Sequence, residues 1–259
     1  MADRNPWLAA RRPNPRAMIR LLCFPYAGGG ESIFRAWPEG LPESVDVCAV
    51  QLPGRGARVN EPPFTNLRDL VEALGSGLAP YLDKPFAIFG HSMGALIGFE
   101  LARRLRSEYA IEPVHLFVSG RPGPRTVRSR PANALSDSEF LELLWAYNGT
   151  PEEALANPEL MAVMLPVIRA DFSVSQSYIY TPEPPLDCAI TAFGGLHDET
   201  VSRANLEEWR EHTRDRFLVR MLPGNHFFLN TARQLLLSAI TRELYQHAGI
   251  DLRANLFRQ

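Results

Sequence analysis

The chain has 259 residues, of which 46% are hydrophobic and 22% charged, the balance of a globular protein able to bury a full core without staples. Its 27 Lys and Arg against 29 Asp and Glu leave a net charge of −2, which offers nucleic acid or an anionic membrane no global attraction. The three cysteines, Cys23, Cys48 and Cys188, each sit in an apolar run without metal-ligand spacing, and read as small buried hydrophobes. The start, "MADRNPWLAARRPNPRAM", lacks the apolar core of a signal peptide, and no apolar run approaches a membrane span. A cytoplasmic location is the expectation.

In chain order, the first apolar run, 18–24 ("MIRLLCF"), predicts a strand, and the glycine-rich loop "FPYAGGG" follows it. A second strand is expected at 45–50 ("VDVCAV") and a helix over roughly 66–82. A third strand at 86–89 ("FAIF") runs into "GHSMGA", after which a helix is expected over 93–107. Further strands fall at 114–118, 188–193 and 217–222, with helices near 203–213 and 230–247. Most of these runs do not alternate with polar residues, as suits parallel strands covered on both faces. Strand and helix taking turns predicts a doubly wound α/β sheet in one domain spanning 1–259.

The rhythm breaks between Ser119 and Cys188. That interval opens on the basic loop "GRPGPRTVRSRP", and "LSDSEFLELLWAY" follows it. There Ser136 and Glu139 form a capping box, and Leu135 and Phe140 could staple the helix start. Phe140, Leu143, Leu144 and Tyr147 share one face of that helix. A second helix begins at "NPEL" with Asn157 as cap and Pro158 in its first turn, and runs through "MAVMLPVIRADFSVSQSYIY" with a kink expected at Pro166. The segment at about 121–186 reads as a helical lid inserted into the sheet.

"GHSMG" is a G-x-S-x-G sequence set between a strand and a helix, the setting of a nucleophile elbow with Ser92 exposed at a sharp turn. A serine hydroxyl needs a base, and the base needs a third group to fix its tautomer; in this architecture their order is Ser, acid, His. His226, in "LPGNHFFL" just after the last strand, occupies the place where open α/β sheets put reacting groups. The acid should follow the strand "CAITAF", in "FGGLHDETV". His197 cannot be the base there, because the acid would have to precede it. Asp198 and Glu199 both remain, with Asp198 only slightly favoured. An oxyanion hole would take the amide of Met93, after the nucleophile, and that of Ala27 in the glycine loop, a pair of donors each typically worth ~10²–10³ in turnover. The three glycines lack the Lys-Ser/Thr that a phosphate-binding P-loop requires.

Taken together, "CFPYAGGG", "QLPGRGAR", "FGHSMGAL", "FGGLHDETV" and "LPGNHFFL", in this order, resemble the type II thioesterases, free-standing α/β-hydrolases that accompany modular polyketide and nonribosomal peptide synthetases. The likeness runs from "NPWL" to the last helix. It implies an α/β-hydrolase fold and, as acid, the aspartate of the G-x-x-D element, which falls on Asp198. It places nucleophile and base on Ser92 and His226, and the oxyanion amides on Ala27 and Met93. Asn225 stands where the family usually has Gly before the histidine. The implied substrate is an acyl thioester on the phosphopantetheine arm of an acyl or peptidyl carrier protein, with no metal or other cofactor required. Phe140, Leu144, Trp145, Met161, Met164, Leu165, Phe172 and Tyr178 would then roof the acyl chain, some of them serving only to anchor the lid to the core. Arg121, Arg125, Arg128 and Arg130 could meet the phosphate or an acidic carrier surface, but a solvated loop is the favoured reading of them. Monomer is the default expectation. The rival readings are a medium-chain thioesterase of fatty acid synthase, a lipase- or esterase-like hydrolase, and a non-catalytic carrier-binding module.

Overall fold

A computed structural model describes residues 5–9, 14–126, 135–146 and 158–247. Its centre is a six-stranded parallel sheet: β1 (Ile19–Phe24), β2 (Val45–Ala49), β3 (Phe86–His91), β4 (His115–Ser119), β5 (Ala189–Gly195) and β6 (Phe217–Leu222). The strand order is β2-β1-β3-β4-β5-β6. The chain steps outward from β1 to β2, then returns to the other side of β1 and continues to β6. That reversal puts a crevice at the C-terminal ends of β1 and β3, where the connecting loops diverge.

Apolar residues on both faces explain the non-alternating runs. Leu22, Phe24, Ile88, Leu116, Val118 and Ile190 face one core, shared with α1 (Leu67–Leu78) and α2 (Met93–Tyr109). Leu21, Cys23, Phe89, Phe117 and Phe193 face the other, shared with Phe34, Trp37 and the last helix. All three cysteines are free and buried, two in one core and one in the other.

Local chemistry sets the helix ends. Asn66 caps α1 by accepting from the amides of Arg68 and Asp69, and a 3₁₀ turn at Ala79–Tyr81 finishes it, within the expected span. The expected helix at 203–213 divides into α5 (Arg203–Glu207), started by a Ser202–Asn205 capping box, and a 3₁₀ segment over Glu208–His212. The terminal helix likewise divides, into the short α6 (Phe228–Thr231) and α7 (Arg233–His247). Side-chain periodicity survives such breaks, which is why it conceals them.

Between β4 and β5 lie α3 (Asp137–Ala146) and α4 (Pro158–Gln176). The capping box at the start of α3 is present: the Ser136 amide donates to Glu139 at 2.8 Å, and the Glu139 amide donates to the Ser136 hydroxyl at 3.3 Å. Leu135 packs on the Phe140 cluster, as a staple would. Pro166 lies inside α4 without ending it, whereas the expected cap Asn157 lies outside the described residues. The helix stops at Gln176, short of the expected Tyr180, and its C-terminal half is fixed to the core. Val174 is buried there, and the Ser177 hydroxyl accepts from the amide of Leu67.

In "RQLLLS" the sequence does not distinguish three consecutive leucines, but α7 buries Leu236 fully and leaves Leu235 52% exposed. Leu236→Ala should therefore cost about 2–5 kcal/mol, while Leu235→Ala should stay within about 0.5 kcal/mol of wild type. Chemical denaturation of both variants checks the orientation of the helix.

Candidate active site

Strand β3 ends at His91 and α2 begins at Met93, so the whole turn between them is made by Ser92. Its backbone sits at φ 53° and ψ −110°, a conformation L residues rarely adopt. Two glycines make this possible. A Cβ on residue 90 would lie 2.1 Å from the carbonyl oxygen of Gly94, and one on residue 94 would lie 2.3 Å from that of Phe24. The second contact also seats the start of α2 against the loop that leaves β1. The Ser92 amide donates to the carbonyl of Ser119 at 2.7 Å, tying the turn to the end of β4.

The Asp198 carboxylate and His226 imidazole meet at the neighbouring strand ends. His226 Nδ1 lies 2.7 Å from Asp198 Oδ2, with both side chains almost wholly buried. The other carboxylate oxygen accepts from the Thr200 amide and hydroxyl at 2.8 and 2.7 Å and from the Val201 amide at 3.1 Å. Burial by itself would raise the Asp198 pKa, but these hydrogen bonds and the proximity of His226 outweigh it and hold the carboxyl below its usual range. With Nδ1 donating to Asp198, His226 presents Nε2 as the acceptor. Glu199 and His197, the neighbours that compete in the sequence, are both exposed.

The bend that delivers Asp198 depends on Gly195, where a Cβ would come within 2.3 Å of the Asn225 carbonyl oxygen. The loops after β5 and β6 thus touch backbone to backbone, and the His197 amide reinforces the contact by donating to Gly224 at 2.9 Å. Asn225, the departure from Gly-His, is exposed, and its side chain accepts from the Phe227 amide.

Sequence order gave His91 no part, yet its ring centroid lies 5.1 Å from that of His226. It is fully buried, and its Nδ1 lies 2.8 Å from the Ser119 hydroxyl. Burial, and next the nearby His226, push its pKa well below the ordinary value, so it packs as a neutral ring. Gly120, at φ +59°, lets both rings in: a Cβ there would stand 2.7 Å from His91 Cε1 and 3.3 Å from His226 Cε1. Nothing in the sequence signals Gly120 or Thr200.

The expected roof is placed differently. Phe140 is fully buried inside the insertion, edge-on to Phe172 at 5.2 Å, in a cluster with Met161 and Ile168 against which Met164 and Leu165 also pack. Phe140 therefore holds α3 and α4 together. Tyr178 is anchored to α2, its hydroxyl donating to Glu100 at 2.8 Å. Leu144 and Trp145 lie on α3, and their side chains fall outside the described residues. The basic loop departs from the solvated reading at Arg121 alone among its described arginines. Arg121 is buried, while Arg125 is exposed and paired with Glu211 at 2.5 Å. Neither is a free cation for a phosphate, and Arg128 and Arg130 lie outside the described residues.

A family model for the thioesterase domain matches residues 19–244 of the chain. The chain belongs to the thioesterase domain family. It is 45% identical over 241 residues to the gramicidin S biosynthesis protein GrsT of Aneurinibacillus migulanus, covering 93% of this chain and 94% of that one. Among solved structures, RedJ, a thioesterase from the prodiginine pathway of Streptomyces coelicolor, superimposes with a TM-score of 0.85 at 42% identity, over 91% of this chain and 90% of that one. The type II thioesterase BorB from the borrelidin biosynthetic cluster gives 0.84 at 37%, over 92% and 98%. The thioesterase thus has the α/β-hydrolase fold, and its chemistry is hydrolysis of thioesters. Among the described residues, no group of three or more His, Cys, Asp or Glu could hold a metal ion, and no helix is long and apolar enough to cross a membrane.

His197→Ala should keep most thioesterase activity and Asp198→Ala should lose most of it, as measured on a soluble acyl thioester; the reverse outcome would mean the acid is misassigned. Stability should follow the same carboxylate. Its folded pKa is depressed below the unfolded value, so its contribution is fully present above the usual carboxylate range and is lost as pH falls through the folded pKa. Urea unfolding should show Asp198→Asn clearly weaker than wild type near pH 7, with the gap narrowing as the solution is acidified.

Proposed function

We propose that this thioesterase releases acyl groups held as thioesters on the phosphopantetheine arm of carrier proteins, clearing misloaded or stalled chains from a polyketide or nonribosomal peptide synthetase. Ser92 is the nucleophile, His226 the base and Asp198 the acid that orients it. Ser92 Oγ attacks the thioester carbonyl as His226 Nε2 takes its proton. The resulting oxyanion rests on the amides of Met93 and Ala27. Met93 is the first residue of α2, so its N–H has no acceptor within the helix. The tetrahedral intermediate then collapses, expelling the phosphopantetheine thiolate, which receives the proton from His226. Water, deprotonated by the same imidazole, attacks the acyl-serine and releases the carboxylic acid. Asp198 stabilises the imidazolium formed in each half-reaction without itself taking up a proton.

The 2.7 Å bond between Asp198 and His226 carries this reading, because it fixes the tautomer that the Ser92 step needs. The strained turn at Ser92 and the contact of α2 with the β1 loop at Gly94 point to the same chemistry. Relatives from the gramicidin S, prodiginine and borrelidin pathways favour a carrier-bound substrate presented by a separate synthase.

Ser92→Ala should abolish acyl release from a panel of loaded carrier proteins, read by mass spectrometry of the phosphopantetheine arm. Unchanged hydrolysis would refute the mechanism. Within the panel, rapid release of short or aberrant acyl groups supports editing, whereas preference for medium-chain fatty acyl groups would indicate a fatty acid synthase partner. Faster cleavage of a matched oxygen ester than of its thioester would instead indicate an esterase.

A further inference from the structure

The Asp171 carboxylate on the lid helix α4 is buried on the loop that leaves β1. Its Oδ2 accepts from the amide of Gly28 at 2.7 Å. Both carboxylate oxygens also receive the Arg55 guanidinium, Nη1 to Oδ2 at 2.6 Å and Nη2 to Oδ1 at 2.7 Å. Arg55 belongs to "QLPGRGAR", the loop after β2, and its Nη1 donates as well to the carbonyl of Gly29 at 2.9 Å. The pair is nearly dry, with side-chain exposures of 10% for Arg55 and 3% for Asp171. One turn earlier on α4, Ile168 fills the space beside Gly28: a Cβ at residue 28, where φ is +77°, would fall 2.8 Å from Ile168 Cγ1.

Three segments therefore meet at the peptide that follows Ala27. Asp171 holds the N–H of the Ala27–Gly28 peptide from the lid side, and Arg55 holds the C=O of the Gly29–Gly30 peptide from the β2 side. Between them the Gly29 amide donates back to the Tyr26 carbonyl at 2.9 Å, which fixes the Tyr26–Ala27 peptide that carries the Ala27 N–H. From the opposite side, the carbonyls of Phe24 and Pro25 rest against Gly94 at the start of α2. The Ala27 amide lies between these two fixed points.

We infer that Arg55 and Asp171 are positioning residues for the oxyanion hole, a carboxylate supplied by the lid insertion and a guanidinium from the β2 loop that together aim the Ala27 N–H at the developing oxyanion. This rests on the serine-nucleophile reading of the site. The bidentate fork supplies the geometric precision that a single point charge lacks. An amide displaced by about 1 Å, or turned away, forfeits a large share of what an oxyanion donor contributes, of order 10²-fold in rate. The positioning acts on the transition state and hardly on ground-state binding.

The test compares wild type, Asp171→Asn and Arg55→Lys on a soluble acyl thioester. It also measures inhibition by an acyl trifluoromethyl ketone, which adds to a serine hydroxyl to give a tetrahedral oxyanion. Both variants should lower kcat about 10–100-fold, leave KM within about twofold, and weaken trifluoromethyl ketone inhibition in parallel with kcat. The inference is overturned if kcat falls less than about threefold, or if kcat falls while the ketone binds as tightly as before; the latter would leave the pair a purely structural role. Should Asp171→Asn not fold, Arg55→Lys, which keeps the buried positive charge, is judged by the same criteria. Ser92→Ala serves as control: if it is inactive, the serine reading stands whatever the two variants do. If it is active, that reading fails and the inference fails with it.

Discussion

The backbone of Ser92 is the constraint on which the remainder of the site depends. A strand that ends at residue 91 and a helix that begins at residue 93 leave a single residue to reverse the chain, and it does so at positive φ, at a cost of about 1–3 kcal/mol. Such a turn persists only where its surroundings allow nothing else. Gly90 and Gly94 remove the side chains that would block it, and the Ser92 amide is tied across to β4. The reward is geometric: the serine stands at the crevice where strand order reverses, with its helix amides beneath it. A serine in ordinary helix or strand geometry would not be presented in this way.

Around that point the fold gathers parts from distant segments through close backbone approaches. Gly94 admits the β1 loop, Gly195 admits the loop bearing His226, and Gly120 admits the rings of His91 and His226. Each glycine acts where two backbones, or a backbone and a ring, leave no room for a methyl group. The imidazole is thereby packed among Gly120, His91 and Phe227 and hydrogen-bonded to Asp198, and its orientation is fixed by contacts on several sides.

The insertion between β4 and β5 has two halves with different attachments. Phe140, Met161 and Ile168 form a separate small core that holds α3 to α4, whereas Val174, Asp171 and Tyr178 bind the far end of α4 and the residues beyond it to the sheet domain. One helix thus belongs both to the small core of the insertion and to the main core. Its buried carboxylate reaches the glycine loop, so the insertion and the loop after β1 share a structural member.

Much of this was legible from residue order. The six strands fell within a residue or two of their expected limits because parallel strands buried on both faces need unbroken apolar runs. G-x-S-x-G between a strand and a helix singled out Ser92, which sits in the strained turn, and chain order singled out His226, which meets Asp198, because an elbow and a post-strand loop are local features. What residue order could not decide was which side chains share a space. It left Asp198 barely ahead of Glu199, and only the bend at Gly195 turns one carboxylate inward and the other to solvent. It grouped Phe140 and Tyr178 with a substrate-facing roof and Arg121 with a solvated basic loop, because apolar or charged character does not reveal what a side chain is packed against. Arg55 and Asp171 are separated by more than a hundred residues, and neither belongs to a motif that names the other. Their meeting on Gly28 is a product of the tertiary fold, since sheet order and lid docking bring together charges that no local pattern relates.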